Sequence, residues 1–319
     1  MDMKDGETKL MKLIRYFIYG LIGLYVGLTT AKADSFAIAA ENDTLSFPKS
    51  DRNYTHGTDF LFMRDDPFWV FDNWGLEVEQ TIYGPQLIKT DELQPKDHPY
   101  CGYLSFNLIG EQWFDLDWAD LSLRHSLGFG GVGPNSFSED SQKIIHKWLG
   151  CKEPLGWKYQ IKDEFIVQYE GWVNLNIAVL DEKWFTTYVV PRAGVDVGGF
   201  KDMVAAGVDL KFGLNPPKNV GHGMILSAPK EKKNNDWHLF LLVGVEGRAV
   251  FHDTSIDGGF FRDSPYTNES ETWVGEFHWG VGARLKWFEI EYTQFIRSKE
   301  FKTQEVNPNY GHLVVKWNF

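Results

Sequence analysis

Along much of the chain apolar and polar residues alternate one for one, over runs longer than an ordinary soluble strand. In WHLFLLVGVEGRAVF, Trp237, Leu239, Leu241, Val243 and Val245 form one apolar series, while His238, Gly244, Glu246 and Arg248 populate the other. In FIVQYEGWVNLNIAV, Phe165, Val167, Tyr169, Val173, Leu175 and Ile177 oppose Gln168, Glu170, Asn174 and Asn176. MVAAGVDLKF, TTYVVPRAGVDVG and HLVVKWNF repeat the pattern. Successive strand side chains point to opposite faces, so each run is a ribbon with one greasy side and one polar or charged side. A soluble sandwich also alternates, but it turns its apolar face inward and uses shorter strands. Apolar outside with charge inside suits a barrel in lipid.

Twelve such segments are expected, at about 35–41, 57–64, 74–83, 102–114, 117–129, 165–180, 183–198, 202–213, 237–251, 272–286, 287–297 and 310–319. The fold class is therefore all-β: a transmembrane, antiparallel, up-and-down barrel of about 12 strands, an even number as bacterial barrels require. With both termini periplasmic, the long connections near 42–56, 84–101 and 130–164 fall on the extracellular side, and those near 115–116, 181–182 and 286–287 make tight periplasmic turns. The connection 213–236 breaks the rule, being long on the short side, and is expected to form an inserted periplasmic flap. Of the 13 tryptophans, Trp69, Trp74, Trp113, Trp118, Trp184, Trp237, Trp287 and Trp317 fall near periplasmic turns and would form an interfacial belt. The chain ends in Phe319, with Trp317, Val315 and Leu313 on the same face, like the terminal strand that the barrel assembly machinery recognises.

The N-terminus sharpens the compartment. From Met11, MKLIR supplies two positive charges, YFIYGLIGLYVGLTT an apolar run too short for a comfortable membrane helix, and AKA a small-residue ending. Residues 1–33 read as a signal peptide cleaved before Asp34, and 34–319 as the barrel. The acidic residues Asp2, Asp5 and Glu7 suggest that translation starts at Met11. A net charge of −12 argues against a nucleic-acid partner, which needs a basic footprint. Cys101 and Cys151 are the two cysteines, and an oxidising compartment permits a bridge between them or two free thiols.

The chemistry gathers in three loops at one end: ENDTLSFPKSDRNYTHG, GPQLIKTDELQPKDHPYCG and GVGPNSFSEDSQKIIHKWLGCKEPLGWKYQIKDE. The third contains a short helix, with Ser138 as its cap, Glu139 and Asp140 in its first turn and Gly150 at its end. At about 100° per residue, Gln142, Ile145, His146 and Leu149 share a face, pressed on the barrel wall or on lipid chains. Taken alone, such a histidine is more often a packing residue than a catalyst. Glu41, Asn42, Asp43 and Thr55 place hard oxygens at the mouth, a donor set suited to Ca²⁺ or simply to an ordinary turn. Gly-x-Ser-x-Gly and His-Glu-x-x-His are absent.

The ordered stretches ENDTLSF…DRNYTHGTDF, QTIYGPQ…DHPYCGYL and GVGP…SQKIIHKWLG…GWKYQIKDE resemble the outer-membrane lipid A 3′-O-deacylase family over roughly residues 35–170, with a weaker barrel-like likeness beyond. The resemblance implies a calcium-dependent site between the wall and a helical loop, facing the outer leaflet. It places the family's essential histidine on His146, its glutamine on Gln142, its Asn-Asp pair on Asn42 and Asp43, and its hydroxyl on Thr55. Lys89, followed by Thr90 rather than arginine, is nearest to the family's basic pair. Asp97 and His98 stand where the family has Asp-Arg, and an acidic residue falls on Glu153, with Lys152 equally alignable. The implied reaction is hydrolysis of the ester of the 3′-linked acyloxyacyl chain. His146 acts as base, Ca²⁺ on Asp43 and Asn42 assists, Thr55, Gln142 and Glu153 support catalysis, and Lys89 draws in a lipid A phosphate. The implied partners are lipopolysaccharide and outer-membrane lipid, with a monomeric barrel expected. Two alternatives stand beside it: an outer-membrane phospholipase built on His125 and Ser126, and a non-enzymatic pore or adhesin. The glycosylation sequons at Asn42, Asn53 and Asn268 are read as chance.

Overall fold

The computed structural model describes residues 35–47, 53–219, 237–264 and 266–319, so the expected leader lies outside the described residues. Twelve strands close into one antiparallel barrel: β1 (Ser35–Asn42), β2 (Tyr54–Arg64), β3 (Asn73–Tyr83), β4 (Cys101–Asp115), β5 (Asp120–Val132), β6 (Glu164–Asp181), β7 (Phe185–Gly198), β8 (Lys201–Leu214), β9 (Trp237–Asp253), β10 (Trp273–Leu285), β11 (Phe288–Arg297) and β12 (Asn309–Asn318). Each strand pairs with its sequence neighbours. The seam closes β1 on β12 from Ser35↔Asn318 to Asn42↔Gly311, which leaves no open edge. The helices are α1 (Ser138–Leu149) and the one-turn α2 (Thr254–Asp257). Among the described residues no helix is long and apolar enough to cross a membrane.

The alternation is realised with the expected sense. Trp237, Leu239, Leu241, Val243 and Val245 are exposed on the outside of β9, while His238, Phe240, Leu242 and Glu246 are buried inside. Five of the belt tryptophans, at 69, 118, 184, 237 and 287, are exposed as an interfacial girdle requires. Trp113 departs from the expectation. It is buried, because it shares the inward face of β4 with Asn107 and Glu111.

Several of the inward charges are paired. Arg192 lies between Glu246 at 2.7 Å and Asp209 at 3.2 Å, and Arg248 between Glu246 at 2.6 Å and Glu276 at 2.7 Å. Arg297 reaches the same Glu276 at 2.7 Å. A buried charge is tolerated only with such partners. Beside this network the lumen keeps a cavity of about 240 Å³, lined in part by Glu41, Asp59, Glu79, Arg124 and Lys201.

Both ends of the lumen are dressed. At the end with the long connections, Tyr103 stacks on Phe200 from the β7–β8 turn at 4.0 Å, and Tyr83 on His98 at 5.4 Å. Phe301 from the β11–β12 connection meets His98 edge-on at 5.6 Å. Asp97 ties this cover together, accepting from Asn53 Nδ2 (2.6 Å), His98 N (2.8 Å) and Gln86 N (2.9 Å). At the other end the described start of the β8–β9 connection reaches Asn219, which packs into the lumen. Asn219 is buried, donates to Asn176 Oδ1 (2.6 Å) and Asp209 Oδ2 (3.0 Å), and accepts from Ser122 Oγ (2.8 Å). Residues 220–236 of that connection lie outside the described residues.

Candidate active site

The expected helix forms over Ser138–Leu149, but Ser138 does not cap it. Phe137 holds the N-cap position in a left-handed conformation (φ 58°) and offers no side-chain cap, while Ser138 is the first helical residue. The serines serve docking instead. Gly102 of β4 lies outward, opposite Ile82 of β3, and a Cβ there would stand 2.2 Å from both Ser136 Oγ and Ser138 Oγ. Only glycine lets the helix start sit this close to the outer wall. Gln80, also outward on β3, donates through Nε2 to Ser136 O at 2.7 Å and pins the same turn. Glu139 and Asp140 occupy the first turn and His146 and Lys147 the last, in accord with the helix dipole. Gly150 (φ 70°) ends the helix as expected, and Cys151 N donates back to His146 O at 2.8 Å.

The two faces of α1 differ. Toward the wall, Gln142 is 2% exposed and its Oε1 accepts from the Trp157 indole at 2.8 Å. One turn on, His146 is half-buried and its Nδ1 lies 2.6 Å from Lys152 O. A carbonyl only accepts, so Nδ1 carries a proton, and in the neutral ring it is Nε2 that keeps its lone pair. On the far side Ile144 is exposed and Trp148 is 86% exposed.

The second and third loops are joined beneath the helix. Leu155 N donates to Ile88 O (2.9 Å) and Ile161 N to Tyr100 O (2.8 Å), while Tyr100 and Trp157 pack with ring centroids 4.8 Å apart. Burial pushes the Tyr100 hydroxyl up to about 12, so it stays neutral. Lys89 is exposed on this paired loop. Glu153 is exposed and lies 3.7 Å from Lys143 Nζ, which also holds Glu139 at 2.7 Å and is raised in pKa chiefly by that hydrogen bond. The imidazole is thus oriented by the Lys152 carbonyl, and the Glu153 carboxylate is engaged by Lys143.

At the end of β1, Asn42 Oδ1 caps the 3-10 turn Asp43–Leu45, accepting from Thr44 N at 2.7 Å and from the Thr44 hydroxyl. Asp43 is buried. Tyr292 OH fixes the turn through Leu45 O at 2.9 Å. Glu41 parts from its neighbours and faces the lumen cavity. Thr55 lies at the register shift between Tyr54 and His56, and its side chain is outside the described residues. Among the described residues no three His, Cys, Asp or Glu side chains converge as metal ligands. A cation here would rest on one carboxylate with amide, hydroxyl and backbone oxygens. That hard-oxygen set fits Ca²⁺ rather than zinc.

Three residues escaped the sequence reading. By alternation from the lumen-facing Asp59, Glu79 and Thr81, the side chains of His56, Thr58 and Gln80 sit on the outer wall. His56 Nε2 and Thr58 Oγ1 are 2.5 Å apart, and Thr58 pairs across to Gln80. They form a polar island beside α1 where lipid-facing positions are mostly apolar. The legible signal was polarity at outward strand positions. The cysteines resolve to two free thiols, Cys101 buried and Cys151 exposed beyond the helix, so no disulfide fixes α1. His125 and Ser126 are consecutive on β5, so they point to opposite faces: His125 bonds Tyr169 OH at 2.7 Å and Ser126 lines the lumen cavity. They make no dyad.

The profile of a family described as "Outer membrane protein LpxR" matches residues 17–319. No curated protein sequence matches the chain. Among solved structures, LpxR from Salmonella typhimurium is similar with a TM-score of 0.77 at 19% identity, covering 89% of this chain and 100% of that one. The beta domain of the Bordetella autotransporter BrkA aligns with a TM-score of 0.47 at 10% identity over 90% and 99% of the two chains. The translocator domain of the autotransporter NalP from Neisseria meningitidis gives 0.41 at 10% identity over 98% of each.

Proposed function

Since this chain belongs to the LpxR outer membrane protein family and is an integral outer-membrane barrel, we propose that it is a lipid A 3′-O-deacylase. On this reading it releases the 3′-linked acyloxyacyl chain by hydrolysis, with calcium and His146. The observation that supports this most is the state of His146. It stands one turn from Gln142 on a helix laid along the outside of the wall, with Nδ1 given to Lys152 O, so that the neutral imidazole offers the lone pair of Nε2. A general base for a substrate that stays in the leaflet needs that tautomer on that side of the barrel.

In the proposed reaction His146 Nε2 takes a proton from water as the water oxygen attacks the ester carbonyl. Gln142 Nε2 and the Thr55 hydroxyl donate to the oxyanion that develops. The bond from the acyl carbon to the sugar 3′ oxygen then breaks, the imidazolium returns its proton to that oxygen, and the fatty acid leaves as a carboxylate after giving its remaining proton to solvent. Calcium, held by Asp43 and Asn42, would supply Lewis-acid polarisation of the carbonyl. Lys89, exposed on the second loop, attracts a lipid A phosphate. Glu153 is left the smaller role of fixing, through Lys143, the segment that presents Lys152 O. The terminal strand β12 is the segment offered to the assembly machinery, and the barrel acts as a monomer. The phospholipase alternative loses its dyad, and the pore alternative meets an aromatic cover over the lumen.

The test is the mass spectrum of lipid A after incubation with purified protein in detergent, with Ca²⁺, with chelator, and with His146→Ala. Loss of the 3′-linked acyloxyacyl mass only with Ca²⁺ and intact His146 is expected. Unchanged lipid A with folded wild-type protein in every tube would overturn the reading.

A further inference from the structure

We propose that Trp157 is a positioning residue that locks the Gln142 amide with its NH₂ group turned toward the reacting ester. The proposal rests on the deacylase reading and gives a role to a residue that the resemblance left without one.

The argument begins with what an indole can do. Its nitrogen donates and never accepts, so the atom of Gln142 that lies 2.8 Å from Trp157 Nε1 is the amide oxygen. A flipped amide would set donor against donor. Trp157 is 1% exposed and Gln142 2% exposed, so neither group is free to trade this bond for water. With Oε1 taken, the amide presents Nε2 elsewhere, and that buried nitrogen has no hydrogen-bond partner among the described residues. Buried donors are almost always satisfied, and an unsatisfied one calls for an explanation in terms of function or a bound group. Gln142 and His146 are four residues apart and share a helix face. A carbonyl group brought before His146 therefore meets the unpaired Nε2 of Gln142.

Trp157 is itself held firmly. It lies in the 3-10 turn Gly156–Tyr159 and packs in a cluster with Ile82 of the outer wall and Tyr100, against which Ile88 also rests. Gly156 passes so near Tyr100 that a Cβ would come within 2.4 Å of the ring. Loop two and the far end of loop three thus set the orientation of a donor on α1, and Trp157 acts through Gln142 without touching substrate.

Trp157→Phe keeps the packing and removes the N–H. On the purified full-length chain with lipid A and Ca²⁺, kcat should fall about 10- to 100-fold with KM unchanged, part of the loss seen when an oxyanion donor is removed altogether. Gln142→Glu keeps an acceptor for the indole but abolishes the donor, and kcat should fall about 10²- to 10³-fold. The double variant should be no slower than Gln142→Glu, because nothing remains to be oriented. In spectra of ¹⁵N-indole-labelled protein, the resonance lost in Trp157→Phe should move downfield in Gln142→Glu, whatever the activity. If Trp157→Phe fails to form the heat-modifiable barrel, 3-benzothienylalanine at position 157 gives the same comparison with the ring shape intact. Full kcat in the N–H-deleted protein, multiplicative losses in the double variant, or an unmoved indole resonance would each overturn the lock. A wild-type protein that leaves lipid A intact would sink the deacylase reading instead, and the indole shift would still report on the hydrogen bond.

Discussion

Adding one methyl group at Gly102 should unseat α1 while leaving the barrel intact. The new Cβ would point outward from β4 and stand 2.2 Å from the Ser136 and Ser138 hydroxyl oxygens and 2.3 Å from Ser138 Cβ. The hydroxyls can rotate away, but a Cβ moves only with its backbone. Relieving that contact from 2.3 Å to the 3.4 Å at which ordinary packing begins lifts the helix start by about 1.1 Å. Gln142 and His146 ride on that helix; on the deacylase reading they are catalytic groups, and a displacement of about 1 Å in such groups costs on the order of 10²-fold in rate, or about 2.7 kcal/mol of barrier. Initial rates on lipid A in mixed micelles should therefore fall about 100-fold for Gly102→Ala, with heat-modifiable migration unchanged. Ser138→Gly removes the obstructing Cβ, so Gly102→Ala/Ser138→Gly should recover most of the loss, at a cost to the helix of about 1 kcal/mol or less. Full activity in the single variant, or no recovery in a folded double variant, would refute this account of the docking.

Three further outcomes follow from other parts of the molecule. Glu276→Leu strands the Arg248 and Arg297 contacts at 2.7 Å and should lower stability by about 3–5 kcal/mol, seen as an earlier midpoint in urea titrations of the detergent-solubilised barrel. His98, outside the strands, is held below its ordinary value of 6.5 chiefly by burial. The unfolded chain then takes up a proton before the folded one, so stability is full above pH 6.5 and is lost as pH falls from there toward the folded value; thermal melts should show this slope, and His98→Phe should flatten it. Native protein should alkylate at Cys151 alone and at both cysteines after denaturation, with the same count under non-reducing conditions; a single thiol missing from the denatured count would contradict the free pair.

Strand positions were legible because lipid and lumen demand opposite chemistry at alternate residues. Where errors arose they were local. β5 begins at Asp120 rather than 117 because Leu116–Ala119 closes a turn, and β2 extends back to Tyr54 through an irregular register that alternation cannot reveal. Part of the candidate site was also legible, since helical spacing alone puts Gln142 and His146 together. The rest depended on contacts between distant segments. Nothing local marks Trp157 as the partner of Gln142, or Lys152 O as the partner of His146. Ser138 looked like a cap because serine commonly is one, yet its neighbour Phe137 took the left-handed turn and the serine went to the wall. Glu41 and Asn42 are adjacent in sequence, and the period of two sent only Glu41 into the lumen.

Helix α1 turns Gln142 and His146 to the outer wall and Ile144 and Trp148 away from it, so that on the deacylase reading the reacting groups stand at the bilayer itself rather than in a chamber fed from water. For a catalyst so placed the meaningful substrate concentration is a surface density. On the deacylase reading, rates should follow the mole fraction of lipid A in the surrounding lipid or detergent, and diluting that surface with inert amphiphile at constant bulk lipid A should slow turnover. An encounter of this kind is a lateral collision in two dimensions, and the substrate never has to leave its leaflet to be cut.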